Sequence, residues 1–260
     1  MHYVIGDVHG CFDEIMDVIH QIESQDEHAQ IIFVGDFVDR GPQVGETLDW
    51  CMEYIVPGSR YQSVMGNHED LILMWYESGC CLGDTEPVQY LPTLFDFSDF
   101  LHRTQKPLSY VRQYVSWIET LPYYLDVEAS GVTYRIVHGW EDFSLTKEIP
   151  IRETRLTARE LNGNYLNDTV VVHGHTPSCA KEYRMLCQPF PIAGDEPGKI
   201  VYRHNAINVD GGCVFAAYHP FQYCGLCGVC LETLEEFYSG GGRRVKPQNQ
   251  YYRELKARLQ

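Results

Sequence analysis

The chain has 260 residues, 44% of them apolar and 22% charged, which is ordinary for a globular protein and ample for one large domain with a full core. Its formal net charge of −16, with no long basic stripe, predicts repulsion from nucleic acid and from anionic membrane surfaces. No run of 18 or more apolar residues offers a membrane span, and ten cysteines without an export signal point to reduced thiols in a reducing compartment, with the cytoplasm as the expected location.

The first residues, Met1 to Ile5, lack a basic region followed by an apolar stretch and read as a strand rather than a signal peptide. Tyr3 to Ile5 ends at Gly6, and Ile15, Val18, Ile19 and Ile22 then fall at helical spacing. Ile31 to Val34 is a second strand ending at Gly35, followed by a helix over Val44 to Tyr54. Tyr61 to Met65 is a third strand ending at Gly66, followed by a helix over Glu69 to Tyr76. Residues 79–108, punctuated by Gly79, Gly83, Pro87, Pro92 and Pro107, break the rhythm as an insertion. A helix resumes from Tyr110 to Leu121. The second half is richer in strands, expected at Tyr123 to Val127, Val132 to Val137, Thr169 to Val172, Ala206 to Val209, Cys213 to Ala217 and Leu226 to Glu232, with a short helix at Thr157 to Leu161. The glycines at 240–242 open a loose basic tail that holds a short helix from Tyr251 to Leu259. The expected organisation is one catalytic domain over residues 1–240 and a tail over 241–260.

Three strand ends each deliver a glycine followed by polar residues: Gly6-Asp7-Val8-His9-Gly10, Gly35-Asp36-Phe37-Val38-Asp39-Arg40-Gly41 and Gly66-Asn67-His68-Glu69. Two later strands end in His138-Gly139 and in His173-Gly174-His175-Thr176. In open α/β sheets ligands bind at the carboxyl ends of strands, and glycine lets the backbone turn sharply there. Taken singly, each segment is a turn, a helix cap or a buried histidine. Five in succession, each after an apolar run, present carboxylate, imidazole and amide donors that suit manganese, iron or zinc.

These segments, GDVHG, GDFVDRG, GNHE, HG and HGHT, resemble the signature of the calcineurin-like metallophosphoesterases, and most closely that of the bacterial serine/threonine phosphoprotein phosphatases, from about residue 2 to residue 238. The resemblance implies an α/β fold, a metallophosphatase-type sandwich of two mixed β-sheets flanked by helices. It also implies a pair of divalent cations, manganese first with iron or zinc as alternatives. Asp7 and His9 would hold the first cation, Asp36 would bridge the two, and Asn67, His138 and His175 would complete the second site. Such a pair lowers the pKa of a shared water and stabilises an in-line displacement at phosphorus. His68 would protonate the leaving oxygen, oriented by Asp39. Arg40 would grip the phosphate through its guanidinium fork, and Asn67 also faces the substrate.

The family pattern favours His175, followed by Thr, over His173 as the ligand, leaving His173 as a strand-end residue. A second arginine clamp is expected after His138. The usual Leu-Trp-x-Arg is absent there, so Arg152 takes that place with Arg155 in reserve. The implied substrate is a phosphorylated protein or a small phosphoester. Dinucleoside polyphosphate hydrolases of the symmetrical tetraphosphatase type share the scaffold and are the nearest alternative, but they tend to lack a residue like Asp39 and to carry Asp where this chain has Glu69. A non-catalytic binding module is a more distant rival, disfavoured by the complete ligand set. Cys224, Cys227 and Cys230 are read as core thiols rather than an iron–sulfur run, since no fourth cysteine follows at a suitable spacing. The Arg243, Arg244 and Lys246 cluster is read as a solvated tail.

Overall fold

Strands that are apolar on both faces need cover on both, and this requirement builds the molecule. In the first strand, β1 (His2–Ile5), Tyr3 and Ile5 point into one hydrophobic cluster and Val4 into another. In the second, β2 (Gln30–Phe33), Ile31 and Phe33 join the first cluster and Ile32 the second. This two-residue alternation places one core between sheet and helices and the other between two sheets. The computed structural model describes residues 1–77, 106, 108–140, 168–179, 195–217, 222–241 and 249–259. Arg152, Arg155, Cys80, Cys81, the helix expected at Thr157 to Leu161, the basic cluster of Arg243, Arg244 and Lys246 and nearly all of the 79–108 insertion lie outside the described residues.

The remaining strands are β3 (Tyr61–Ser63), β4 (Tyr124–Ala129), β5 (Val132–Val137), β6 (Thr169–His173), β7 (Val201–Arg203), β8 (Ala206–Asn208), β9 (Cys227–Cys230) and β10 (Glu236–Tyr238). They form two five-stranded sheets in the orders β10-β9-β1-β2-β3 and β4-β5-β6-β8-β7. In the first sheet β1, β2 and β3 run parallel, while β9 and β10 are antiparallel additions. In the second, β5, β6 and β8 run parallel, flanked by antiparallel β4 and β7. This is the expected sandwich of two mixed sheets.

Helices α1 (Phe12–Glu23), α2 (Val44–Tyr54), α3 (Asn67–Glu77) and α4 (Leu108–Ile118) share the first core with the outer face of the first sheet. The C-terminal helix α5 (Gln250–Arg258) places Leu255 in the core between the sheets.

One expected strand is absent: Cys213–Ala217 is a 3-10 helix. Asp210 Oδ1 accepts from the Gly212 amide at 2.9 Å, and Gly212 turns at φ 73°. This aspartate-capped turn reverses the chain before an extended segment can form. Two short strands, β7 and β10, escaped the sequence reading. At three residues each they carry too little alternation to register.

Candidate metal centre

Six parallel strands have carboxyl ends, and each sends its following loop to one edge of the sandwich. β1 leads to Asp7 and His9, β2 to Asp36, Asp39 and Arg40, and β3 to Asn67 and His68. From the second sheet, β5 leads to His138, β6 to His175 and β8 to Asp210. Left-handed backbone recurs among these residues, at His9 (φ 48°), Asp36 (φ 58°), Asp39 (φ 69°), Arg40 (φ 68°) and His175 (φ 66°). For residues with a side chain this conformation is costly, and it clusters where a fold holds groups in place for chemistry.

The donor atoms of Asp7, Asp36 and His138 all lie within 4.8 Å of one another, as do those of His9, Asp36 and His68. Asp36 belongs to both groups, the position a bridging carboxylate would occupy. Its Oδ2 lies 3.5 Å from His9 Nε2, 3.4 Å from His138 Nε2 and 3.8 Å from His68 Nε2. Asn67 Oδ1 sits 2.8 Å from both His138 Nε2 and His175 Nδ1. Asp7 accepts from the His175 amide at 3.1 and 3.0 Å through its two oxygens. The five stretches that the motifs single out therefore converge. Of the residues expected at the site, only Arg152 and its reserve Arg155 lie outside the described residues.

The imidazole tautomers follow from the backbone. His9 Nδ1 lies 2.8 Å from the Val38 carbonyl and His138 Nδ1 lies 2.9 Å from the Val34 carbonyl. A carbonyl can only accept, so each Nδ1 carries hydrogen and, in the neutral ring, each Nε2 turns a lone pair into the crevice. His138 Nε2 then meets the Asn67 oxygen at 2.8 Å, lone pair to lone pair, unless a proton or a cation sits between them. At His9 a cation is already supplied: Arg40 Nη1 lies 2.7 Å from His9 Nε2, and Arg40 Nη2 lies 3.1 Å from His68 Nε2. Carboxylates, inward lone pairs and an amide oxygen crowded around shared points fit a site for hard-to-borderline divalent cations.

The electrostatics say the same. Burial pushes Asp7 well above the usual carboxylate range, and Asp210 adds to the effect. Burial also acts on Asp36, but His138, His68 and His9 outweigh it and hold Asp36 well below that range. Burial would lower His138, yet Asp36 and Asp7 raise it to about 10. Without cations, the site keeps protons where positive charge is needed.

His68 differs from its neighbour. Its Nδ1 lies 2.6 Å from Asp39 Oδ2, and its pKa is raised because Asp36 and Asp39 outweigh the lowering by burial. His173 packs edge-on against Trp140, with ring centroids 5.5 Å apart, and its Nδ1 lies 3.1 Å from the Gly174 carbonyl.

The sequence reading gave no role in the site to two residues. Glu69, fully buried, accepts from the amides of Asp36 (2.7 Å), Phe37 (2.9 Å) and Gly66 (3.2 Å), tying the ends of β2 and β3 together. Burial and the nearby Asp36 raise it to about 7. Asp210, also buried, is raised to about 6 by burial first, with Asp36 adding to the rise and Arg40 and His138 opposing it. Its signal was available: Ala206 to Val209 is an apolar run, followed by an acid and two glycines.

Two facing mixed sheets that send oxygen and nitrogen donors from the ends of their parallel strands into one crevice define a metallophosphatase-type hydrolase scaffold. The chain belongs to the calcineurin-like phosphoesterase family, whose sequence profile matches residues 3–212. Among curated relatives it is 26% identical to an asymmetrical bis(5'-nucleosyl)-tetraphosphatase of Anoxybacillus flavithermus, over 82% of this chain and 85% of the relative. It is 39% identical over 77 residues to a symmetrical bis(5'-nucleosyl)-tetraphosphatase of Vibrio campbellii, a stretch that spans 30% of this chain and only 27% of that relative. A metallophosphoesterase structure from Sphaerobacter thermophilus superposes with a TM-score of 0.55 at 16% identity, covering 99% of this chain and 97% of that one. That likeness concerns the fold.

Proposed function

We propose that this chain is a metal-dependent phosphomonoesterase acting on phosphoserine or phosphothreonine in proteins. The observation that carries the reading is a donor cluster with an acid at its edge: Asp36 Oδ2 lies 3.5 Å from His9 Nε2 and 3.4 Å from His138 Nε2, while His68, whose donor atom also stands near Asp36, is held through Nδ1 by Asp39 at 2.6 Å. Asp7, His9, Asp36, Asn67, His138 and His175 would hold two divalent cations, manganese by preference. When bound, these supply the Lewis acidity that activates water and draws charge from the phosphate. The chain's own residues do the rest. Arg40, whose Nη1 and Nη2 face His9 and His68, would turn its guanidinium fork to phosphate oxygens when a cation takes the His9 lone pair. His68, on which Asp36 and Asp39 favour the charged form, would deliver a proton to the leaving oxygen from Nε2 once Arg40, 3.1 Å from that atom, has turned to phosphate. Water attacks phosphorus directly, with no phosphoenzyme.

The relatives favour a second reading, hydrolysis of dinucleoside tetraphosphates, because both curated proteins named above are called tetraphosphatases. Glu69 does not separate the readings, since it is occupied with backbone amides. Asp39 supports the first, as the partner of the acid.

One experiment separates them. Chelator-stripped protein should be inert, and added manganese should restore turnover of a phosphoserine peptide above that of diadenosine tetraphosphate. Cleavage of the dinucleotide alone would establish the second reading. Inertness toward both, and toward p-nitrophenyl phosphate with manganese, would leave a binding module.

A further inference from the structure

Outside the candidate centre, a second group of donors stands among the described residues. Cys11, Glu14 and Cys213 bring their ligand atoms within 4.8 Å of one another. Cys11 is the residue before α1 and Glu14 lies in its first turn, while Cys213 opens the 3-10 helix after the Asp210 turn. Both cysteines are buried, at 6% and 4% exposure, and Glu14 is half-buried. The thiols therefore face each other under the surface, and the carboxylate closes the group on the side nearest solvent. A tetrahedral zinc with Zn–S of about 2.3 Å and Zn–O of about 2.0–2.2 Å holds its ligand atoms roughly 3.5–3.8 Å apart, so the three need shift by little more than an ångström.

We propose that Cys11, Glu14 and Cys213 form a third metal site, for one thiophilic divalent cation of the zinc class. Two thiolates and one carboxylate are a soft, anionic donor set, unlike the all-oxygen-and-nitrogen set around Asp36, so the two sites select different metals. Binding releases the two thiol protons and leaves a fourth position for water on the Glu14 side. The metal ties two segments that frame the candidate centre: Cys11 follows the loop carrying Asp7 and His9, and Cys213 follows the turn carrying Asp210. Its role is that of a staple.

Cobalt separates this site from the centre around Asp36, because thiolate-to-cobalt charge transfer absorbs in the near ultraviolet and that centre has no sulfur donor; the serine variants separate it from the other thiols. Metal-free full-length protein, kept reduced, is titrated with Co2+. The expected result is a charge-transfer band whose final intensity corresponds to one thiolate-bound cobalt per chain, which is lost in Cys11→Ser and in Cys213→Ser, and persists in Asp36→Asn and in Cys179→Ser. Glu14→Gln, at a partly exposed helical position that should not disturb folding, is expected to keep the native circular dichroism and to weaken cobalt binding on the order of tenfold or more. No band in the wild-type chain, a band that survives either serine substitution, or an unchanged titration in Glu14→Gln would overturn the site.

Discussion

His9 and His68 lie edge to face, 4.7 Å between ring centroids, and their Nδ1 partners set them apart. The carbonyl of Val38 fixes the hydrogen of His9 on Nδ1, and burial, with His68 and Arg40, lowers its pKa and favours the neutral ring with its lone pair inward. The carboxylate of Asp39 favours charge on His68. A neutral imidazole is a ligand and a charged one is an acid. His68→Asn is therefore expected to cut turnover about 10²–10⁴-fold with two metals per chain retained by elemental analysis. Loss of one metal equivalent would make His68 a ligand instead, as its nearness to Asp36 allows. Gly174 tests the donor set from the backbone side. A Cβ there would stand 1.9 Å from Asp7 Oδ1, so Asp7 must move. Gly174→Ala should weaken metal binding and activity together, while a variant with full metal content would show that Asp7 is not a required ligand.

At the scale of elements, β2, β3 and α3 are locked by one carboxylate. Glu69 belongs to α3 but binds the backbone at the ends of both strands. Replacing it with Gln puts an NH2 donor against amide donors. The change should cost about 1–3 kcal/mol through buried amides left without an acceptor, seen as a lower Tm with metal bound, and should lower turnover by shifting Asp36. An unchanged Tm would mean that the helix packs there without it. This wiring also shows where the sequence could be read. His138 was legible because it stands beside glycine at the end of an expected strand, whereas His175 was set apart from His173 only by the family pattern of a following Thr. Glu69 was legible only as a letter in a motif, since two of its three partners are backbone amides 33 and 32 residues away. The same holds for Cys213–Ala217, whose apolar letters suggest a strand while the Asp210–Gly212 turn dictates a 3-10 helix. Period and composition carry local preference, whereas a carboxylate that seeks backbone amides is a tertiary fact.

At the scale of the whole molecule, the two sheets meet across a core, and the C-terminal helix closes one end of it. Composition around residues 240–248 suggests a loose tail, and the short helix expected beyond it is present as α5. That helix is docked. Asn249 caps it, accepting from the Tyr252 amide at 2.9 Å while donating to the Tyr202 carbonyl of β7 at 3.1 Å. Tyr252 meets Tyr202 edge-on at 5.1 Å, and Arg258 reaches Asn205 at 2.7 Å, both on the second sheet's edge. Lys256 donates to the Thr233 carbonyl in the β9–β10 connection of the first sheet. The helix therefore bridges both sheets, with Leu255, 7% exposed, sunk between them beside Leu231 and Leu234. If that contact holds the sandwich together, Leu255→Ala should cost about 2–4 kcal/mol by the transfer and cavity terms of a buried leucine, read as a shift in denaturant midpoint with an unchanged slope. Turnover and metal content below the transition should stay at wild-type levels, since no residue of α5 reaches the Asp36 crevice. Stability that does not change would return α5 to the status of a tail, and a fall in activity at full folding would mean that closure of the sheets is felt at their far edge.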